Sequence, residues 1–156
     1  MRFGAIDIGT NAARLLIGEV SEANGHEIVK KYSYTRIPLK LGYDVFDNGR
    51  ISPEKKEEFL KTMQAFKLIS EVFKVTELRA CATSAMREAK NATEIKSLIQ
   101  KETGITIEII DGKEEGDLIL STFELLDFDH NNPFLVIDVG GGSTEISLYK
   151  QGKKQI

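Results

Sequence analysis

The sequence predicts an α/β domain built around a mixed sheet, followed by the first hairpin of a second unit. Three apolar, partly alternating runs come first, at residues 3–8, 14–20 and 28–34, and Asn24-Gly25 marks a turn between the last two. Helical and strand patterns then alternate down to residue 126. Antiparallel strands followed by β/α alternation are typical of a mixed sheet that is covered by helices.

The helices are predicted from their ends and from their apolar stripes. Ser52-Pro53-Glu54 combines an N-cap, a proline at the first helical position and an acid near the positive end of the helix dipole. Residues 91–94 (NATE) have the spacing of a capping box, and Gly104 should end that helix. Strands are expected at 78–82 and 105–110. The buried stripes are Phe59, Met63, Phe66, Ile69 and Phe73, then Ile95, Leu98 and Ile99, then Leu118, Ile119, Thr122, Phe123 and Leu126.

Composition and charge limit the class of protein. A chain of 156 residues, 41% apolar and 29% charged, fits one globular domain, or one domain and the beginning of another. The net charge of −3 gives no general attraction to nucleic acid, and no apolar run approaches the ~20 residues of a membrane helix. We therefore expect a cytoplasmic protein with no nucleic-acid and no membrane partner. Cys81 is the only cysteine, which excludes an internal disulfide, and its apolar neighbours predict a small core residue.

Two glycine turns of similar design carry the chemical signal, at residues 6–11 (IDIGTN) and 137–145 (IDVGGGSTE). Each follows an apolar strand and has an aspartate near the end of that strand. Glycine lets backbone N–H groups converge on a phosphate, hydroxyl groups add donors, and aspartate suits Mg²⁺, usually through water. One such turn could be an ordinary turn, and Gly-Gly-Gly could be a flexible hairpin loop. Both together predict a phosphate site, although the P-loop pattern is absent.

With these turns the chain resembles the exopolyphosphatase/guanosine pentaphosphate phosphatase family of the actin-like superfamily. The turns are similar to the first and second phosphate motifs of actin-like ATPases, sugar kinases and exopolyphosphatases. Three segments favour the exopolyphosphatases: 36–42 (RIPLKLG) resembles an arginine-bearing segment after the third strand, 82–87 (ATSAMR) a Thr-Ser/Ala-x-x-Arg turn, and 109–115 (IIDGKEE) the stretch with the catalytic acid. At two positions, Ala12 and Asp117, the chain departs from the family pattern, which bears on substrate preference.

The resemblance implies a ribonuclease H-like/actin-like ATPase fold. We expect a mixed five-stranded sheet flanked by helices in residues 1–128 and a linker at 129–133. Residues 134–156 would be the first hairpin of a second such domain, which is truncated.

The resemblance also implies roles for individual residues. Glu115 would be catalytic and would orient or deprotonate the attacking water, whereas without the resemblance its position favours a solvated acid in the first turn of a helix. Arg79 is left as a surface residue. The residues implied to bind phosphate are Thr10, Asn11, Arg14, Arg36, Arg87, Gly141, Gly142, Ser143 and Thr144. Those implied to hold Mg²⁺, or another divalent cation, are Asp7, Asp138 and Glu145.

Three functions stay open at this point. The first is hydrolysis of the terminal phosphate of polyphosphate or guanosine pentaphosphate by a homo-oligomer, expected to be a dimer. The second is an ATP-using actin-like kinase, which would share both phosphate turns. The third is a fragment that binds polyphosphate or nucleotide without turnover.

Overall fold

The computed structural model describes residues 1–23, 26–123, 132–142, 144–150 and 153–155. The predicted Asn24-Gly25 turn, most of the predicted linker and Ser143 lie outside these residues. The elements are β1 (Arg2–Ile8), β2 (Ala13–Ala23), β3 (His26–Ile37), α1 (Leu41–Asn48), α2 (Pro53–Val72), β4 (Glu77–Ala82), α3 (Ser84–Glu88), α4 (Ala92–Thr103), β5 (Ile107–Ile109), α5 (Gly112–Phe123), β6 (Phe134–Val139), β7 (Thr144–Lys150) and β8 (Lys153–Lys154).

The first five strands form one mixed sheet in the order β3-β2-β1-β4-β5. β2 is antiparallel to both β1 and β3, whereas β4 is parallel to β1 and β5 is parallel to β4. This is the five-stranded sheet of the predicted ribonuclease H-like/actin-like fold. The predicted hairpin is β6–β7, which belongs to a separate antiparallel sheet with β8, a strand that we did not predict.

One face of the five-stranded sheet is the core face. Alternation along β1 directs Ile6 and Ile8 into the core and Ala5 and Asp7 to the opposite, outer face. The core is completed by helices α1 to α4, whose fully buried side chains include Leu41, Phe59, Met63, Phe66, Met86, Ile95 and Ile99. None of the helices in the described ranges combines the length and apolar character that crossing a membrane requires.

The predicted ends of two helices are confirmed. α2 begins after Ser52, whose Oγ accepts a hydrogen bond from the Lys55 amide at 3.3 Å, and Pro53 is its first residue. α4 ends at Gly104, which has the left-handed φ of 75° that glycine adopts easily. Two short helices were not predicted, since α1 has no N-terminal capping signal and α3 occupies the segment that was interpreted as a turn.

The predicted capping box at α4 is wrong. Asn91 does precede the helix, but its side chain makes no capping hydrogen bond. Its Oδ1 accepts from the Ile51 amide at 3.0 Å, and its Nδ2 donates to the Ile51 carbonyl at 2.8 Å. Glu94 instead forms an ion pair with Lys56 of α2 at 2.7 Å. The amide of Asn91 therefore joins the segment before α2 to the start of α4, a contact between distant residues that overrides the local pattern.

We predict that Asn91→Ala lowers the free energy of unfolding by about 2 kcal/mol, because both buried backbone groups of Ile51 lose their partner. Urea denaturation measures the change. Ser52→Ala is the control: it removes one partly exposed helix cap and should cost about 1 kcal/mol. An Asn91→Ala protein as stable as the wild type would contradict the structural role of this side chain.

Candidate functional site

A cavity of about 590 Å³ lies at the end of β1, and both glycine turns line it. Its other walls come from the outer face of the sheet, from the residues after β4 and from α5. The cavity brings together residues that are far apart in the sequence and that were predicted to form one site. These are Asp7, Thr10, Asn11, Arg14, Glu115, Asp138 and Gly141.

The first turn is fixed by the segment that leads into α1. The amide of Lys40 donates to the carbonyl of Asn11 at 2.9 Å, and the amide of Gly42 donates to that of Thr10 at 3.0 Å. A Cβ atom at Gly42 would collide with the methyl group of Thr10, so this close approach requires glycine. The position of the turn is therefore set by main-chain contacts.

The second turn packs against the first. A Cβ atom at Gly141 would lie 2.7 Å from Nδ2 of Asn11 and 2.9 Å from Cβ of Thr10. A Cβ atom at Gly142 would lie 2.6 Å from Oγ of Ser84 and would collide with the ring of Phe46. Glycine at these positions lets the two backbones approach, as phosphate turns require. Gly142 and Thr144, both predicted to bind phosphate, lie outside the set of residues that line the cavity.

A row of polar side chains crosses the outer face of the sheet beside the cavity. Residues directly opposite each other in the strand registers follow the order Arg36, Arg14, Asp7, Cys81 and Glu108. Opposed residues on neighbouring strands place their side chains on the same face. Within the row, Nη1 of Arg14 donates to Oδ2 of Asp7 at 2.6 Å, and both side chains are half-exposed. Arg36 is exposed at the edge of the row and does not line the cavity.

Cys81 is not the core residue that its apolar neighbours predicted. The alternation of β4 directs Ala80 and Ala82 into the core, so Cys81 faces outward, where it is half-buried and lines the cavity. Burial raises the pKa of its thiol. At neutral pH the site therefore contains a protonated thiol next to the strand position of Asp7.

Glu115 lies in the first turn of α5, and its side chain is only 18% exposed, compared with 47% for its neighbour Glu114. Its Oε2 atom is 3.5 Å from Nη1 of Arg87, which also donates to the carbonyl of Ile110 at 2.7 Å. Arg87 belongs to the last turn of α3 and does not line the cavity. In this structure Arg87 therefore holds Glu115 against the end of the sheet, and its predicted contact with phosphate stays a prediction.

Arg79 has a structural role that the sequence did not indicate. Its Nη2 atom is 2.8 Å from Oε2 of Glu108 on β5 and 2.8 Å from Oε1 of Glu114 on α5. The first turn of α5 is also capped by Asp111, whose Oδ1 accepts from the Glu114 amide at 2.8 Å. These contacts fix the start of α5, and with it Glu115, on the outer face of the sheet.

Part of the cavity wall is apolar and includes Ala5, Ile110, Leu118, Ile119 and Val139. Leu118 and Val139 are 40% and 73% exposed. A phosphate group gains nothing from such a surface, whereas the apolar part of a larger ligand would be stabilised by it.

The carboxylates for the predicted metal lie on both sides of the cavity. Asp7 comes from β1 and Asp138 from β6, and Glu145 is directly opposite Asp138 in the register of β6 and β7. The structure describes the backbone of Glu145 but not its side chain. Across the described part of the chain, no group of three His, Cys, Asp or Glu side chains is arranged to hold a metal by itself. A cation here would need ligands from a substrate or from water as well.

Comparisons with known proteins identify relatives of this chain. The sequence profile of the Ppx/GppA phosphatase family matches residues 20–156. Exopolyphosphatase 1 of Mycobacterium tuberculosis is 31% identical over 147 residues, which cover 94% of this chain and 42% of that protein. The bifunctional 3-dehydroquinate synthase/phosphatase of Fusobacterium nucleatum is 36% identical over 151 residues, or 92% of this chain and 22% of that protein.

A solved structure has the same fold as this chain. The crystal structure of an exopolyphosphatase from Cytophaga hutchinsonii superimposes with a TM-score of 0.89 at 29% identity, covering 100% of this chain and 49% of that one. The chain thus spans half or less of the length of these relatives. With a family profile that matches most of its residues, the chain belongs to the Ppx/GppA phosphatase family.

Proposed function

We propose that this protein hydrolyses the terminal phosphoanhydride bond of inorganic polyphosphate and releases orthophosphate. The observation that carries the proposal is a cavity in which two facing glycine turns meet the carboxylate of Glu115, whose side chain is only 18% exposed. The names of the exopolyphosphatase relatives support the substrate class.

The glycine turns would bind the terminal phosphates. Their main-chain N–H groups, the hydroxyl group of Thr10 and the amide of Asn11 supply hydrogen-bond donors on one side of the cavity. Arg14 adds a guanidinium group, whose planar fork suits phosphate oxygens. Phosphoryl transfer requires little covalent chemistry from a protein, so this positioning and the neutralisation of charge account for most of the catalysis.

Glu115 would act on the attacking water. The water oxygen forms a bond to the terminal phosphorus while the bridging P–O bond breaks, and the chain leaves one phosphate shorter. Glu115 accepts the proton of the water and later returns it to solvent, as a general base does. Arg87, 3.5 Å from Oε2, keeps the carboxylate in one orientation.

A divalent cation fits the carboxylates that are present. Asp7 and Asp138 line the same cavity as the phosphate turns, and Mg²⁺ is commonly bound by one or two carboxylates together with phosphate oxygens and waters. When bound, the cation would neutralise the negative charge that polyphosphate brings into the cavity. Asp7 would then have to share its carboxylate with Arg14 or release it.

Guanosine pentaphosphate is the second candidate substrate, and the apolar wall of the cavity favours it. Leu118, Ile119 and Val139 offer a surface to a nucleoside that a bare phosphate chain would not use.

The expected dimer and the cytoplasmic location stay predictions.

We predict that Glu115→Gln lowers kcat for polyphosphate about 10²- to 10⁴-fold, the usual contribution of a general base, with little change in KM. Orthophosphate release measures both constants. The control is Glu54→Gln, which changes an exposed acid in the first turn of α2 that does not line the cavity, and it should leave kcat unchanged. Unchanged turnover in a folded Glu115→Gln protein would exclude the proposed role.

Removal of divalent cations should stop phosphate release, and added Mg²⁺ should restore it, since the substrate charge would otherwise be unscreened. Asp7→Asn and Asp138→Asn should each raise the Mg²⁺ concentration needed for half-maximal rate. Asp47→Asn, an exposed aspartate of α1, serves as the control and should leave that concentration unchanged. Full activity in the presence of a chelator would rule out the cation.

Cys81 reports on the cavity through its alkylation rate. Because burial raises the pKa of the thiol, the thiolate fraction at each pH below that pKa is smaller than in the unfolded chain. The rate profile of the folded protein with iodoacetamide should therefore be displaced to higher pH relative to the chain unfolded in urea.

Saturating polyphosphate should slow this alkylation in the folded protein, because thiol and substrate share one cavity. In the urea-unfolded chain, which contains the same thiol, polyphosphate should have no effect. Equal rates with and without polyphosphate in the folded protein would place the substrate elsewhere.

A further inference from the structure

An aromatic ring that the sequence did not single out packs against two of the glycines around the site. Phe46 lies on α1, and it is 49% exposed. A Cβ atom at Gly42 would lie 3.1 Å from Cε2 of this ring and 3.4 Å from its Cδ2. A Cβ atom at Gly142 would lie 2.9 Å from the same Cε2 and would collide with Cζ. One edge of the ring therefore packs against the main chain at both glycines.

The two glycines belong to different halves of the site. The amide of Gly42 donates to the carbonyl of Thr10 at 3.0 Å and so holds the first turn. Gly142 is part of the second turn, in which the preceding Gly141 packs against Thr10 and Asn11. The ring of Phe46 thus connects the segment that holds the first turn to the backbone of the second turn.

The helix that carries Phe46 is fixed at both ends and along its buried face. α1 follows Lys40, whose backbone is left-handed with φ 56° and whose amide donates to the first turn at 2.9 Å. Leu41 and Val45 are buried in the core, and the carbonyl of Gly49 accepts from the Lys90 amide at 3.0 Å. The second turn joins strands of a separate sheet. Its place beside the first turn therefore depends on packing contacts such as that of Phe46.

We propose that Phe46 is a positioning residue, which holds the second glycine turn close enough to the first for both to bind one polyphosphate terminus. The inference rests on the proposed hydrolysis of polyphosphate, although the contact itself can be tested without turnover. A turn that leaves this arrangement part of the time binds with an affinity reduced by the fraction that is in place. Phe46 does not line the cavity, so it acts on the substrate through the turn.

Phe46→Ala should raise KM for polyphosphate about tenfold and leave kcat nearly unchanged, because fewer molecules have the turn in place before substrate binds. Partial unfolding has the opposite signature, since it lowers the apparent kcat and leaves KM as it was. Tyr43→Ala is the matched control: Tyr43 is an aromatic residue of the same helix, 68% exposed and outside the cavity lining, and its loss should not change KM. Phe46→Leu, which keeps an apolar contact, should recover most of the affinity. An unchanged KM in Phe46→Ala would overturn the proposal.

A double variant tests whether the ring occupies the space beside the second turn. Gly142→Ala alone should raise KM by more than about tenfold, because its methyl group would collide with the ring and displace the turn. In Phe46→Ala/Gly142→Ala the ring is gone and the Ser84 hydroxyl can rotate away, so KM should be lower than in Gly142→Ala. A KM increase equal to the product of the two single increases would show independent effects and refute the proposed contact.

Amide NMR tests the contact in the absence of turnover. The ring current of Phe46 should displace the resonances of Gly142, and this displacement should disappear in Phe46→Leu but persist in Tyr43→Ala. Identical Gly142 resonances in the wild type and Phe46→Leu would show that the ring does not contact the turn, and the proposal would fail. If the resonances move while the wild type releases no orthophosphate, the proposed function fails and the positioning contact stands. The comparisons of KM are then made as dissociation constants of polyphosphate, measured by calorimetry.

Discussion

The close approach of two main-chain turns is the constraint on which the site depends. A Cβ atom at position 42, 141 or 142 would meet Thr10, Asn11, Ser84 or Phe46, so the two turns approach each other through their main chains. The first turn follows β1, whose Ile6 and Ile8 are buried in the core, and is held by hydrogen bonds from the segment before α1. Because the main-chain N–H groups of the two turns are held in place in this way, they would need little rearrangement if phosphate binds there.

Glu115, the proposed general base, is positioned by different means, through charged side chains of neighbouring elements. Arg87 reaches Glu115 from α3, while Arg79 joins Glu114 of α5 to Glu108 of β5. The pairs of Arg79 are about half-exposed, and exposed ion pairs typically contribute about 0–1 kcal/mol each to stability. Their main effect is therefore on the orientation of the first turn of α5 rather than on the stability of the fold.

Periodic patterns predicted most of the fold, because the sheet and the long helices bury one face each. The stripe of α2 and the alternation of β1 are properties of single elements, and both are confirmed. Asn91 and Arg79 make contacts that the sequence did not indicate, because their partners, Ile51 and Glu114, are remote in sequence. Cys81 was misjudged because its neighbours are apolar on both sides, although the alternation of β4 directs it outward. The glycine turns were found because the need for close approach restricts the residue type locally, whereas the left-handed backbone of Lys40 leaves no mark in the sequence.

The pair of Arg14 and Asp7 has a further consequence for how such a site accepts its ligands. At 2.6 Å the two groups neutralise each other, yet both are half-exposed, so separating them costs about 0–1 kcal/mol. A phosphate that attracts Arg14 and a cation that attracts Asp7 would therefore replace one weak contact by two stronger ones. Substrate and cation would then bind cooperatively. Phosphate that binds Arg14 would release Asp7 for the cation, and a cation that binds Asp7 would release Arg14 for phosphate.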